Sequence, residues 1–142
     1  MAFTVDERIS GTCFELGDWP LSRVFLKNNA HYPWFILVPR QENVSEMTEL
    51  TSSFRHVLMD EITAISTLTE SYFKPAKVNV GVLGNIVRQL HVHVIARFIG
   101  DHHWPQGIWQ AESPSQPYTA AQLAVLLPYF REQIQRYLES GF

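Results

Sequence analysis

Apolar positions along the chain follow two different periods. Met47, Leu50, Phe54, Leu58, Ile62, Ile65 and Leu68 stand three or four residues apart, which puts one apolar stripe on a helix. Asn43 followed by Glu46 resembles a capping box and Pro75 stops the run, so the pattern predicts a long helix over roughly 45–73. A second stripe, Leu123, Leu126, Phe130, Ile134 and Leu138, follows a Thr119/Gln122 capping box and predicts a closing helix that Pro128 should kink or split. Elsewhere the period is two or the run is continuously apolar. Strands are predicted around 13–16, at 23–27 and 34–38 across the loop formers Asn28, Asn29 and Pro33, and at 77–83 and 89–98 as a hairpin. The stretch 100–117, with three prolines, Trp104 and Trp109, reads as an ordered aromatic-rich loop.

No repeat and no linker interrupts these elements, so residues 1–142 are expected to fold as a single domain. At 46% apolar and 18% charged, the chain has the composition of a globular domain rather than a disordered one. A net charge of −3 supplies no broad cationic surface, which argues against long nucleic acid and anionic membranes as partners. The single cysteine, Cys13, can form neither an internal disulfide nor a thiolate zinc site. With no signal-like start and no long apolar run, the expected location is the cytoplasm.

Chemistry concentrates in the second strand of the hairpin. Alternation puts Gln89, His91, His93, Ile95 and Arg97 on one face and Leu90, Val92, Val94, Ala96 and Phe98 on the other. The apolar set suits the underside of the long helix, whereas the Gln-His-His row suits the floor of a polar pocket. Two imidazoles at this spacing can both reach one phosphate: a neutral ring as nucleophile, a protonated one as holder of the nonbridging oxygens. An H-x-H pair can equally be structural, or can chelate zinc or iron. The next outward positions, Ile95 and Arg97, lack the carboxylate a metal site would favour, and no cofactor is expected.

The run Gln89-Leu90-His91-Val92-His93-Val94-Ile95 resembles the histidine triad motif, His-φ-His-φ-His-φ-φ with φ hydrophobic, with glutamine at the first histidine. Trp34 to Arg40 resembles that family's strand ending in a Pro-basic pair, and Asn79-Val80-Gly81 with Gly84-Asn85 resembles the elements before the triad. The loop from Ala96 through Trp109 resembles a bacterial branch of the family. The resemblance implies an α+β fold with about five antiparallel strands, a long helix on one face, a C-terminal helix, and a homodimer. It also implies that a nucleotide binds the other face and is cleaved through a nucleotidyl-histidine intermediate.

By the same resemblance His91 is the nucleophile and His93 contacts phosphate oxygens, with Gln89 in the supporting position. Asn85 maps to the phosphate pocket, Asn79 to the phosphate or leaving group, and Asn28 to the ribose hydroxyls, with Asn29 its alternative. Gly81 and Gly84 read as curvature and turn residues, and Trp104 and Trp109 as packing groups or base-stacking platforms. Trp34 stands where some members have a further histidine, and Ile86 where some have a hydroxyl, so leaving-group protonation has no evident owner, the loop histidines His31, His102 and His103 being the candidates to approach. The leading expectation is a hydrolase or transferase acting on a nucleoside phosphate conjugate. Its rival is a nucleotide-binding module in which Gln89 accompanies lost turnover.

Overall fold

Strand alternation and helix periodicity meet on one side of the sheet. The computed structural model describes residues 2–109 and 114–142, so part of the expected loop at 100–117 lies outside the described residues. Strands β1 (Cys13–Asp18), β2 (Ser22–Lys27), β3 (Trp34–Pro39), β4 (Lys77–Gly81) and β5 (Val92–Arg97) form one sheet in the order β1-β2-β3-β5-β4, and every neighbouring pair is antiparallel. The α+β arrangement expected from the sequence is the one observed.

Helix α2 (Ser52–Phe73) lays Leu58, Ile62, Ile65 and Leu68 on this sheet, and α3 (Ala120–Ser140) adds Leu126, Phe130 and Ile134. The sheet answers with Val24, Leu26, Phe35, Leu37, Val92 and Val94, so the alternate residues of β5 do face the long helix. Glu61 of α2 is wholly buried, and its carboxylate accepts hydrogen bonds from the Leu21 and Ser22 amides at 2.7 and 3.0 Å. That pair fastens the helix to the turn between β1 and β2.

Two sequence expectations need correction. The long helix begins at Ser52, capped by Thr51 Oγ1 accepting from the Phe54 amide at 3.2 Å, and not near residue 45. Asn43 sits in the left-handed region at φ 57°, and Glu49 takes the Ser45 and Glu46 amides, closing a separate 3-10 turn, Met47–Glu49. Two overlapping capping signals therefore compete, and the later one starts the helix. Pro128, expected to kink or split the last helix, does not split it but lies inside one continuous element. A proline removes one backbone bond, and the packing of residues on both sides of it keeps the helix whole.

The opposite face of the sheet is covered in two patches with a gap between them. At one end Phe25, Ile36 and Val38 lie under Phe3, Val5 and Ile9, brought there by a short helix α1 (Glu7–Ser10). One helical turn is too short to show a periodic stripe, which is why the pattern gave no sign of it. At the other end Tyr32, Ile95 and Ile108 cluster against Trp34. His91 and His93 occupy the gap.

Candidate functional site

β5 begins at Val92 and not at residue 89 as the sequence predicts, so His91 stands just ahead of the strand, and only His93 is placed by pairing on both sides. His93 lies opposite Ile36 of β3 and Gly81 of β4, while Val92 and Val94 point into the core. The rings of His91 and His93 stand 4.8 Å apart at 69° and are only 7% and 8% exposed. Two imidazoles this close are a poor core and a ready polar floor.

Each ring has one fixed partner. Nδ1 of His91 is 2.7 Å from the main-chain carbonyl of Gln89. A carbonyl only accepts, so Nδ1 carries the proton and the neutral ring keeps its lone pair on Nε2. Nδ1 of His93 instead accepts from the Trp34 indole N–H at 3.0 Å. Burial, with the nearby charges of His91 and Lys27 adding to it, pushes His93 down to about 3. The sequence reading of a protonated second imidazole is thus corrected: His93 is neutral.

Gln89 has a different place from the one expected. Its side chain faces the N-terminal segment, where Oε1 accepts from the Asp6 amide at 2.8 Å and Nε2 donates to the Thr4 carbonyl at 2.9 Å. What reaches His91 is the main-chain carbonyl of residue 89. Arg8 extends the same segment to the loop before β5, donating to the Ile86 carbonyl at 3.2 Å. Hydrogen bonds from the Arg8 side chain and amide, with the charges of Arg8 and His91 adding to them, lower Asp6 to about 2. An open groove lined by Thr4, Val5, Asp6, Glu7, Arg8 and Gln89 runs along this edge of the histidine row.

The four asparagines are dispersed. Asn28 Oδ1 accepts from the Tyr118 amide at 2.9 Å, and Asn29 Oδ1 from the His31 amide at 3.0 Å. Asn79 Oδ1 accepts from Arg97 at 3.1 Å. Asn85 is exposed in the loop between β4 and β5. Among the described residues no hydrogen bond joins these asparagines to either histidine. His31 stacks on His102 at 4.4 Å, and His103 Nδ1 bonds the Tyr32 hydroxyl, so the loop histidines gather around Tyr32, at the Arg97 end of the row. Among the described residues no group of three or more His, Cys, Asp or Glu side chains is placed to hold a metal ion.

Three neighbours of His93 escaped the sequence reading in whole or in part. Trp34 was legible as an exchanged family position, and its hydrogen bond follows from register, since Trp34 pairs with Ile95 and lies diagonal to His93 on one face. Lys27 continues the face of Phe25, with Nζ 5.4 Å from the Trp34 ring centroid. Trp109 stands 5.7 Å from the His93 ring, and a Cβ on Gly81 would come within 2.7 Å of its indole. Gly81 is therefore glycine because Trp109 needs the space, a reason the sequence reading did not include.

Comparison with known proteins agrees with the geometry. A family model described as HIT domain matches residues 12–100. A histidine triad protein from Bradyrhizobium japonicum superposes with a TM-score of 0.86 at 34% identity, over 97% of this chain and 99% of that one. A histidine triad protein from Marinobacter aquaeolei gives 0.86 at 37%, over 98% of each chain, and one from Sinorhizobium meliloti gives 0.85 at 35%, over 94% and 96%. No curated protein matches the chain. With two imidazoles on the open face of a five-stranded sheet, and a family model covering more than half its length, the chain belongs to the HIT domain family.

Proposed function

We propose that the protein is a nucleotide-binding hydrolase or transferase that cleaves a nucleoside phosphate conjugate, of the phosphoramidate or dinucleoside polyphosphate type, through His91. The observation that carries this reading is the 2.7 Å contact from His91 Nδ1 to the Gln89 carbonyl, which leaves Nε2 as the nucleophilic atom. Its lone pair forms the bond to the α-phosphorus as the bond to the leaving group breaks, and the leaving group departs with that electron pair and gains a proton. In the nucleotidyl-imidazolium Nδ1–H still donates to the Gln89 carbonyl, which eases the positive charge. Water or another hydroxyl acceptor then forms the new P–O bond, releasing its proton to solvent, and the P–N electrons return to the ring.

His93 supports the phosphate beside His91, and Gln89 acts through its main chain. Asn85, exposed in the loop ahead of β5, is the candidate for the phosphate pocket. For Asn79 and Asn28, whose oxygens already accept from Arg97 and Tyr118, the amide nitrogens are the groups offered to leaving group and ribose. A specific observation favours a second reading, a binding module with little turnover: the glutamine side chain in the first triad position is tied to Thr4 and Asp6 and brings no third ring to the site. Incubation with adenosine phosphoramidate or a diadenosine polyphosphate separates the two readings, since only the enzyme releases a mononucleotide.

We also propose a homodimer built on β4. Among the described residues this strand pairs only with β5 and has no partner on its outer edge, and Val80, Val82, Leu83 and Ile86 stand exposed on it and on the following loop. An unpaired edge with apolar flanks invites a second strand. Sedimentation that shows monomer alone at micromolar concentration defeats the proposal. The placement is expected to be cytoplasmic, and among the described residues no helix is long and apolar enough to cross a membrane.

A further inference from the structure

We infer that Trp34 is a positioning residue that fixes His93 as a neutral imidazole with its proton on Nε2, so that His93 meets the substrate as a hydrogen-bond donor and not as a cation. The inference rests on the proposed reading of the site only where it names phosphate as the group met.

Indole nitrogen donates and never accepts. At 3.0 Å from Trp34 Nε1, Nδ1 of His93 must therefore offer its lone pair, and the one proton of the neutral ring is left on Nε2. An imidazolium would carry a proton on Nδ1 as well and set two donors against each other. The contact is held by the fold. Trp34 opens β3 opposite Ile95 and packs against both apolar patches of this face, and the Lys27 ammonium sits 5.4 Å from its ring centroid. Among the described residues the charged groups acting on His93 are His91, two residues ahead of it, and Lys27 on β2, and a positive charge on either opposes protonation of His93. Asp6, from the N-terminal segment, interacts with His91.

The consequence concerns the pair. The Gln89 carbonyl selects the Nδ1–H tautomer at His91, and the Trp34 indole selects the opposite tautomer at His93, two residues away. The nitrogen of His91 left without a fixed partner, Nε2, and the N–H donor of His93 are set on adjacent rings 4.8 Å apart. A donor fixed before the ligand arrives needs no reorganisation as negative charge grows on a phosphoryl oxygen. A histidine at position 34 could donate or accept, and would select this tautomer of its neighbour less strictly than an indole, which only donates.

Nitrogen-15 NMR of the full chain labelled in its histidines reads this directly. In the native protein His93 Nδ1 is expected at the shift of an unprotonated ring nitrogen and Nε2 at that of a protonated one, with no titration of His93 between roughly pH 5 and 8, where an ordinary histidine changes charge. Trp34→Phe removes the donor and keeps an aromatic ring. It should mix the two tautomers and move the titration of His93 upward, while Trp34→His, which can donate again, restores part of the native signature. A proton on Nδ1 of native His93, or a Trp34→Phe spectrum indistinguishable from native, overturns the inference. Adenosine 5′-monophosphate added to the native protein separates the two readings. A shift of the His93 Nε2 resonance supports the phosphate contact. If no histidine resonance moves, the nucleotide reading of the site falls and the tautomer assignment still stands on the spectra without ligand.

Discussion

Asp101 grips Arg97 with both carboxylate oxygens, at 2.8 and 2.9 Å, and the two side chains are only 5% and 2% exposed. Arg97 ends the histidine row of β5, and its guanidinium also donates to Asn79 and lies over the rings of Tyr32 and Trp104, 5.3 and 5.7 Å from their centroids. Asp101 in turn accepts from the Phe98 and His103 amides at 3.0 and 3.2 Å. The pair thus secures the start of the loop that carries Trp109 to His93.

Removing one partner of such a pair leaves the other charge buried and typically costs about 3–5 kcal/mol. Asp101→Asn should therefore lower the melting temperature strongly, and the wild type should show an acid limit set in part by this group. Burial works to raise the Asp101 pKa, but its bonds to Arg97 and to the two amides overcome that and hold it at about 2. A carboxylate depressed in the fold contributes its stability above its ordinary pKa near 4 and loses it as pH falls toward 2. Thermal melts across that window should show a loss that is smaller in Asp101→Asn. Equal acid sensitivity in both proteins would remove Asp101 from this role.

Gly81→Ala tests the closeness of Trp109. A methyl group there meets the indole at 2.7 Å, so the strand or the ring must shift, and overpacking of this kind typically costs about 1–3 kcal/mol. The expected result is a modest fall in melting temperature with a clear change in tryptophan fluorescence. Unchanged fluorescence would mean that the ring does not occupy that position in solution.

Gln89→Ala removes the two hydrogen bonds that hold the N-terminal segment and leaves the main-chain carbonyl on His91 in place. Faster amide exchange at Asp6, with His91 retaining its proton on Nδ1, is the expected pattern. Gln89→His should alter the rate of any turnover without moving the site of attack. Loss of the His91 tautomer in Gln89→Ala would show that the side chain is needed and that the carbonyl contact alone does not set the tautomer.

The legible part of this protein is the part with a period. Alternation in β5 separated Val92 and Val94 from His91 and His93, and the order of strands and helices followed from apolar runs and prolines. What escaped depends on contacts between distant segments. Gln89 and Thr4 are 85 residues apart, and Trp34 and His93 are 59 apart, so neither pairing leaves a local trace. The start of α2 was misplaced for the opposite reason, because Glu46, Glu49 and Thr51 offer several local caps and only packing chooses among them.

The last prediction concerns the nucleophile. His91→Ala deletes a buried ring and its bond to the Gln89 carbonyl but leaves the apolar clusters whole, so the variant should fold with its melting temperature only modestly lowered. Loss of a nucleophile typically lowers the rate by several orders of magnitude. If Nε2 attacks phosphorus, the intermediate holds a P–N bond, which is labile in acid and comparatively durable in base. Rapid denaturation during turnover, handled at neutral or basic pH, should therefore yield a nucleoside monophosphate on His91 by mass spectrometry, in the native protein and in Gln89→His, and none in His91→Ala. An adduct on His93 would conflict with its buried neutral ring and its fixed Nε2 proton, because an N–H nitrogen has no lone pair to offer, and would transfer the chemistry to a ring whose tautomer must then change first. Tight nucleotide binding with neither adduct nor product, in all three proteins, would instead identify a binding module.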